Sequence, residues 1–118
     1  MLTFQNLDYL YKTNDCEDHI MAAMKANDIK TIEKISKALG DKHRLSILQH
    51  ITRRGGCAQC AEFQEILNLA QPSVSHHVKI LSEAGLIEPE KTGRHFKYTL
   101  NVNVLDHYLK FLQKLKNP

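Results

Sequence analysis

At 118 residues, 42% of them hydrophobic, the chain is one domain's worth of sequence with a modest core, and its net charge of +3 with neutral histidines favours a nucleic-acid partner weakly without demanding one. Three cysteines, an odd number, argue against a disulfide framework and toward thiol chemistry or metal binding. The longest apolar run is far too short to cross a bilayer, and Met1 to Asn6 carries no basic segment followed by a hydrophobic one, so the expectation is a cytoplasmic chain with no membrane partner.

In chain order, Leu2, Phe4, Leu7, Leu10 and Tyr11 give an amphipathic arm, which needs a partner surface. Asn14-Asp15 caps a second segment that carries Glu17 and Asp18 in its first turn, then Ile20, Met21 and Met24. Asn27-Asp28 restarts a helix through Ile29, Ile32, Ile35 and Leu39, closed by Gly40. The next helix starts at Asp41, buries Leu45, Ile47, Leu48 and Ile51, and breaks at Gly55-Gly56. Cys57-Ala58-Gln59-Cys60 leads into a short helix whose Phe63, Ile66 and Leu67 face the core, and Asn68-Leu69-Ala70 turns into another helix over Gln71 to Leu86. Two helices joined by a tight polar turn predict a helix-turn-helix.

That last helix has a clear start, stop and two faces. Pro72 suits its first position, and Gly85 ends it where a left-handed residue is wanted. Val74, Val78 and Leu81 form an apolar stripe, with His77 beside it as a hydrogen-bonded core histidine. The opposite side, with Gln71 at its start and then Ser73, Ser75, His76 and Lys79, carries short donors and acceptors suited to base edges in a major groove, with Lys79 reaching a phosphate.

Beyond Leu86 the period changes to two. Ile87 to Lys91, a turn at Thr92-Gly93 and Arg94 to Leu100 predict a hairpin with Phe96, Tyr98 and Leu100 inward and Pro89 on an edge strand. Lys91, Arg94, His95 and Lys97 make the hairpin tip positive, as contact with DNA backbone or a narrow minor groove would require. Val102, Leu105, Leu109, Leu112 and Leu115, widened by Tyr108 and Phe111, mark a C-terminal helix. Apolar stripes at both ends of so small a chain predict a homodimer, with two recognition helices about 34 Å apart on a two-fold axis.

Ser73-Val74-Ser75-His76-His77-Val78-Lys79-Ile80-Leu81, followed by Ala84-Gly85-Leu86-Ile87, resembles the recognition helix of the ArsR/SmtB family of winged helix-turn-helix repressors. Ala38 to Leu48 upstream, and Gly93-Arg94 with Tyr98-Thr99-Leu100 downstream, match the same family in the right order. The fold expected is mainly α with a small two-stranded β wing, dimeric through N- and C-terminal helices. The expected organisation is a single domain over residues 1–118, with an N-terminal arm at 1–26, the helix-turn-helix at 57–86, the wing at 87–100 and a dimerisation helix at 101–116. The resemblance implies a sequence-specific repressor of transcription whose partner is double-stranded operator DNA.

The inducer is sought at Cys16, Cys57 and Cys60. With Cys57 and Cys60 both at a helix start, their spacing puts the sulfurs on one side and the positive helix end lowers their pKa. Cys16 supplies a third thiolate, with Asp15, Glu17 and His19 as lesser ligands, and such a cluster selects soft ions: trivalent arsenic, cadmium, lead or zinc, none required for folding. In metal-sensing relatives cysteines at the start of this helix, sometimes joined by one from the arm, bind such ions, although they are usually separated by one residue rather than by Ala58 and Gln59. A second family site, along the C-terminal helix, is not expected, since that region offers only His107. The alternatives are a reversible Cys57–Cys60 disulfide or inert buried thiols. No catalytic constellation is found and no enzyme is expected. A CxxC oxidoreductase would need a strand before the motif where the sequence has a helix and two glycines, and a protein-interaction module is the remaining rival.

Overall fold

The computed structural model describes residues 28–118. They form helix α1 (Asp28–Leu39), helix α2 (Lys42–Arg53), strand β1 (Cys57–Gln59), helix α3 (Cys60–Leu67), helix α4 (Gln71–Glu83), strands β2 (Ile87–Thr92) and β3 (His95–Leu100), and helix α5 (Val102–Lys116). The expected N-terminal arm over 1–26, with Cys16, lies outside the described residues.

Local chemistry sets each boundary. Asp41 caps α2, its Oδ2 accepting from the backbone N–H groups of His43 at 2.9 Å and Arg44 at 3.1 Å, two donors with no intrahelical partner. After α2 the chain turns through Gly55 at φ 87° and Gly56 at φ 105°. A side chain at either would meet no neighbour, so the left-handed backbone alone demands glycine. Asn68 closes α3 in the left-handed region, and Ala70 caps α4, which puts Pro72 at the second helical position rather than the first. Helix α4 stops at Glu83. Past its end Gly85, at φ 80°, lets the N–H of Leu86 bond back to the Leu81 carbonyl at 3.1 Å.

The hairpin pairs from Ile87↔Leu100 to Thr92↔His95 around Gly93. It carries a third, antiparallel strand that the sequence pattern does not announce: β1 pairs with β3 at Cys57↔Thr99, Ala58↔Tyr98 and Gln59↔Lys97, giving the order β1-β3-β2. Three residues are too few to display alternation, which is why this segment reads as the lead-in to a helix. Pro89 lies on β2, an edge strand, where its missing N–H breaks no ladder.

One cluster holds these elements together: Ile35 and Ala38 of α1, Ile47 and Ile51 of α2, Ala58, Phe63, the α4 stripe Val74, Val78 and Leu81, then Ala84, Leu86, Ile87 and Val104. Three expected core residues sit elsewhere. Leu45 is 49% exposed and Ile66 44%, each on the outer side of its helix, and Phe96 is 47% exposed because β3 has left the core by that point, its ring stacking on Tyr98 instead. Tyr98 and Leu100 do pack on the core. Asn101 ties the wing to α5: its Oδ1 accepts from the Asn103 and Val104 N–H groups, while its Nδ2 donates to Glu88 of β2 at 3.1 Å. On α5, Leu109, Leu112 and Leu115 remain exposed. Among the described residues no helix is long and apolar enough to cross a membrane.

Candidate nucleic-acid interface

Burial of Val74, Val78 and Leu81 fixes the rotation of α4 and thereby decides which side chains it offers outward. Gln71, Ser73, Ser75, His76 and Lys79 are all exposed. Gln71 Nε2 donates to Ser75 Oγ at 3.2 Å, one turn along, which pre-orders the start of that face. Around the hairpin tip Lys91, Arg94 and His95 are exposed and Lys97 is half-buried.

Helix and wing enclose a cleft of about 590 Å³ that brings Gln71, Ser75, Lys79 and Arg94 together above Val78, Phe96 and Tyr98. Ser73, His76 and Lys91 lie outside its lining, and Lys97 lines a second cleft of about 480 Å³ with Arg54, Cys57 and Glu62. The structure thus brings four of the candidates, Gln71, Ser75, Lys79 and Arg94, into one cleft between helix and wing and leaves the others outside it.

The α4 helix is anchored by a residue that the sequence reading did not single out. Arg44 of α2 donates from Nε to the Ala38 carbonyl at 2.7 Å and from Nη2 to the Lys37 carbonyl at 3.0 Å, closing the end of α1. Its Nη1 lies 3.2 Å from Nδ1 of His77. An arginine is never an acceptor, so this bond requires a neutral imidazole with a bare Nδ1. Burial lowers the His77 pKa, Asp41 pulls it up, and Arg44, His43 and His76 push it down, leaving it below the ordinary value. Asp41 answers in the other direction: burial raises its pKa, but the N–H and charge of Arg44, the N–H of His43 and His77 together hold it low. An Asp cap three residues before an Arg was the available signal.

A second polar knot braces α2 against α3. Glu62 Oε2 accepts from the Gln59 N–H at 2.9 Å at the start of α3, while Oε1 meets His50 Nε2 at 2.8 Å and Arg54 Nε at 3.0 Å. The Gln59 N–H, then His50 and Arg54, stabilise the carboxylate and outweigh its burial, so its pKa is lowered.

The cysteines do not share a helix start. Cys57 belongs to β1 and Cys60 is the first residue of α3. They open onto different clefts, Cys60 beside Gln71 and Tyr98, Cys57 beside Arg54 and Lys97. With Gln59 also extended, at φ −94° and ψ 151°, three strand steps separate the two Cα atoms by about 10 Å, beyond the roughly 7 Å limit for a disulfide. Nor is the Cys60 thiol acidified: burial pushes its pKa up, more than a hydrogen bond from the Gln71 side chain pulls it down. Among the described residues no three His, Cys, Asp or Glu side chains come together as a metal site, so the residues in view do not fit a bound ion by themselves.

Comparison with known proteins places these features in a group. A helix-turn-helix domain family matches residues 39–90. Transcriptional repressor SdpR of Bacillus subtilis is 30% identical over 86 residues, which cover 73% of this chain and 93% of SdpR. The arsenical resistance operon repressor of the same organism is 36% identical over 81 residues, 69% of this chain and 76% of the relative. Among solved structures, an ArsR family transcriptional regulator superposes with a TM-score of 0.61 at 26% identity, covering 73% of this chain and 90% of that one.

Proposed function

The chain belongs to the ArsR/SmtB family of winged helix-turn-helix repressors, and from that premise we propose that it is a homodimeric repressor that reads operator DNA with the exposed face of α4 and grips the flanking phosphates with its wing. The family is one of DNA-binding transcription regulators, not of enzymes. One observation carries the reading: α4 buries its apolar stripe completely and leaves Gln71, Ser73, Ser75, His76 and Lys79 outward beside the positive wing tip. In this reading Gln71, Ser73, Ser75 and His76 address base edges, and Lys79, Lys91, Arg94 and Lys97 address phosphates. The exposed Leu109, Leu112 and Leu115 of α5 supply the dimer contact, and symmetry then sets the two α4 helices one helical turn of DNA apart.

For the inducer, the likeness to an arsenical resistance repressor supports a thiophilic ion acting at the cysteines. Cys57 and Cys60 alone are too few donors for a tight soft-ion site, so this reading requires Cys16. Both an ion held by Cys57 and Cys60 together and the competing oxidant reading, a Cys57–Cys60 disulfide, require β1 to open first.

The test of DNA reading is His76→Ala, measured against a duplex from upstream of the chain's own coding sequence and against random duplex. Loss of roughly 1–3 kcal/mol on the cognate site with little change on random DNA is expected for a base-edge contact. Equal weakening on both removes His76 from sequence reading, and equal affinity of the unaltered protein for both duplexes defeats the proposal for that site.

A further inference from the structure

We infer that Arg44 and His77 are positioning residues for DNA recognition: their hydrogen bond sets the pose of α4, and because it needs a neutral imidazole, acidification uncouples the recognition helix from the rest of the fold. The inference rests on the reading of α4 as the DNA-reading helix and adds to it a proton-sensitive anchor that makes no contact with DNA.

The geometry is specific. The His77 side chain is only 12% exposed, on the inner edge of α4, one residue from His76 on the reading face. Arg44 is already committed on two sides, to the Ala38 and Lys37 carbonyls at the end of α1, so its remaining Nη1 points at His77 from a fixed position. One guanidinium therefore couples three helices: α1 through carbonyls, α2 through its own backbone and α4 through an imidazole.

Protonation of His77 replaces the acceptor lone pair at Nδ1 with a second N–H, turning a hydrogen bond into donor facing donor and cation facing cation. The charged groups around it are accounted for element by element. From α2 and its cap come Arg44, His43, whose ring centroid is 5.4 Å away, and Asp41, whose Oδ2 is 3.7 Å from Nδ1. On α4 itself His76 lies 5.9 Å away, ring to ring. On α1 the Lys37 ammonium turns to Glu33, on α3 Glu62 is held by His50 and Arg54, and on β2 Glu88 takes the Asn101 amide. Of the carboxylates named, Asp41 is the one within ion-pair reach of the imidazole, and it is already engaged by the N–H groups of His43 and Arg44. The direction of the His77 pKa agrees, since a lowered value means that the folded arrangement is favoured above the ordinary histidine range and lost as pH falls.

The experiment compares wild type, His77→Gln and His77→Ala for binding to the upstream duplex between about pH 8 and pH 5, a window that reaches well below the ordinary histidine value because the His77 pKa is lowered, at constant ionic strength. Glutamine keeps an acceptor for Arg44 and cannot titrate; alanine removes the acceptor. Wild type is expected to lose at least roughly threefold more affinity over this range than His77→Gln, within the limit of about tenfold per pH unit for each linked proton. His77→Ala is expected to be weak throughout. His76 and His43 are present unchanged in all three proteins, so the comparison isolates position 77. Superimposable wild-type and His77→Gln profiles overturn the inference. Independently of any DNA, nitrogen-15 spectra of the wild-type imidazoles must show His77 at neutral pH with its proton on Nε2; a proton on Nδ1 overturns the inference too. Absence of binding by wild type at every pH would instead refute the DNA reading, leaving the tautomer to decide the anchor.

Discussion

The wing's role can be read from the salt dependence of binding. If Lys79, Lys91, Arg94 and Lys97 of each protomer all meet phosphates, as proposed, a dimer offers eight cations. At about 0.9 counterions released per phosphate neutralised, full engagement gives a slope of log affinity against log salt of about −7. Arg94→Ala removes two of the eight contacts and brings the slope to about −5. Between about 50 and 200 mM salt the wild-type affinity then falls roughly ten-thousandfold and that of the variant roughly two-thousandfold. Arg94 is exposed at the hairpin tip and none of its side chain is buried in the core, so the substitution leaves the fold intact. Fluorescence anisotropy of a labelled upstream duplex, titrated at four or five salt concentrations, gives both slopes. An unchanged slope would mean that the wing tip touches no phosphate, and loss on the cognate duplex alone would reassign Arg94 to a base edge.

Three further outcomes are expected. Leu109→Glu, which puts a charge on the exposed stripe of α5, should give a folded monomer by sedimentation with much weakened operator binding; a persistent dimer would remove α5 from the interface. Glu62 has a lowered folded pKa, so it contributes stability that is full above the ordinary Glu range and is lost as pH falls through the folded value. Glu62→Gln should therefore flatten the acid limb of thermal stability below about pH 4.5, and an unaltered limb would show that the knot with His50 and Arg54 carries no linkage. Cys57→Ser with Cys60→Ser should leave DNA binding intact and abolish release by arsenite, cadmium or a mild oxidant; retained release would acquit both thiols.

The fold was legible wherever periodicity and punctuation coincide. Val74, Val78 and Leu81 with Gly85 define α4 from spacing alone, and Gly55-Gly56 marks a true backbone break. The wing shows in the alternation of Tyr98 and Leu100 and in the edge position of Pro89. Short or long-range features were not legible. Strand β1 is three residues long and exists because β3 is there to pair with, a partner some forty positions away. Leu45 and Ile66 satisfy a helical pattern yet face outward, because a stripe in sequence does not say how wide the covering surface is. The exposed reading face of α4 follows from its buried one. The Arg44–His77 bond does not, since it spans 33 positions and depends on how two helices cross.

Strand β1 changes what the cysteines can do. With both at a helix start, two sulfurs on one face would be poised for an ion or a disulfide without any movement. With Cys57 in a strand and Cys60 opening α3, joining them by a disulfide demands that β1 leave β3. Three residues of edge pairing cost on the order of a few kcal/mol to open, since each backbone hydrogen bond contributes about 0.5–1.5 kcal/mol net. That is comparable with the roughly 5.5 kcal/mol of preference needed to carry a two-state equilibrium from one side to the other. Opening would also reach both halves of the candidate interface. Gln59 of β1 pairs with Lys97 of the wing, and the Cys60 thiol is hydrogen-bonded by Gln71, the first residue of α4. In the proposed sensing role, a thiol event at this pair would act on wing and α4 together, through contacts already made, and β1 is the element whose two states it would bias.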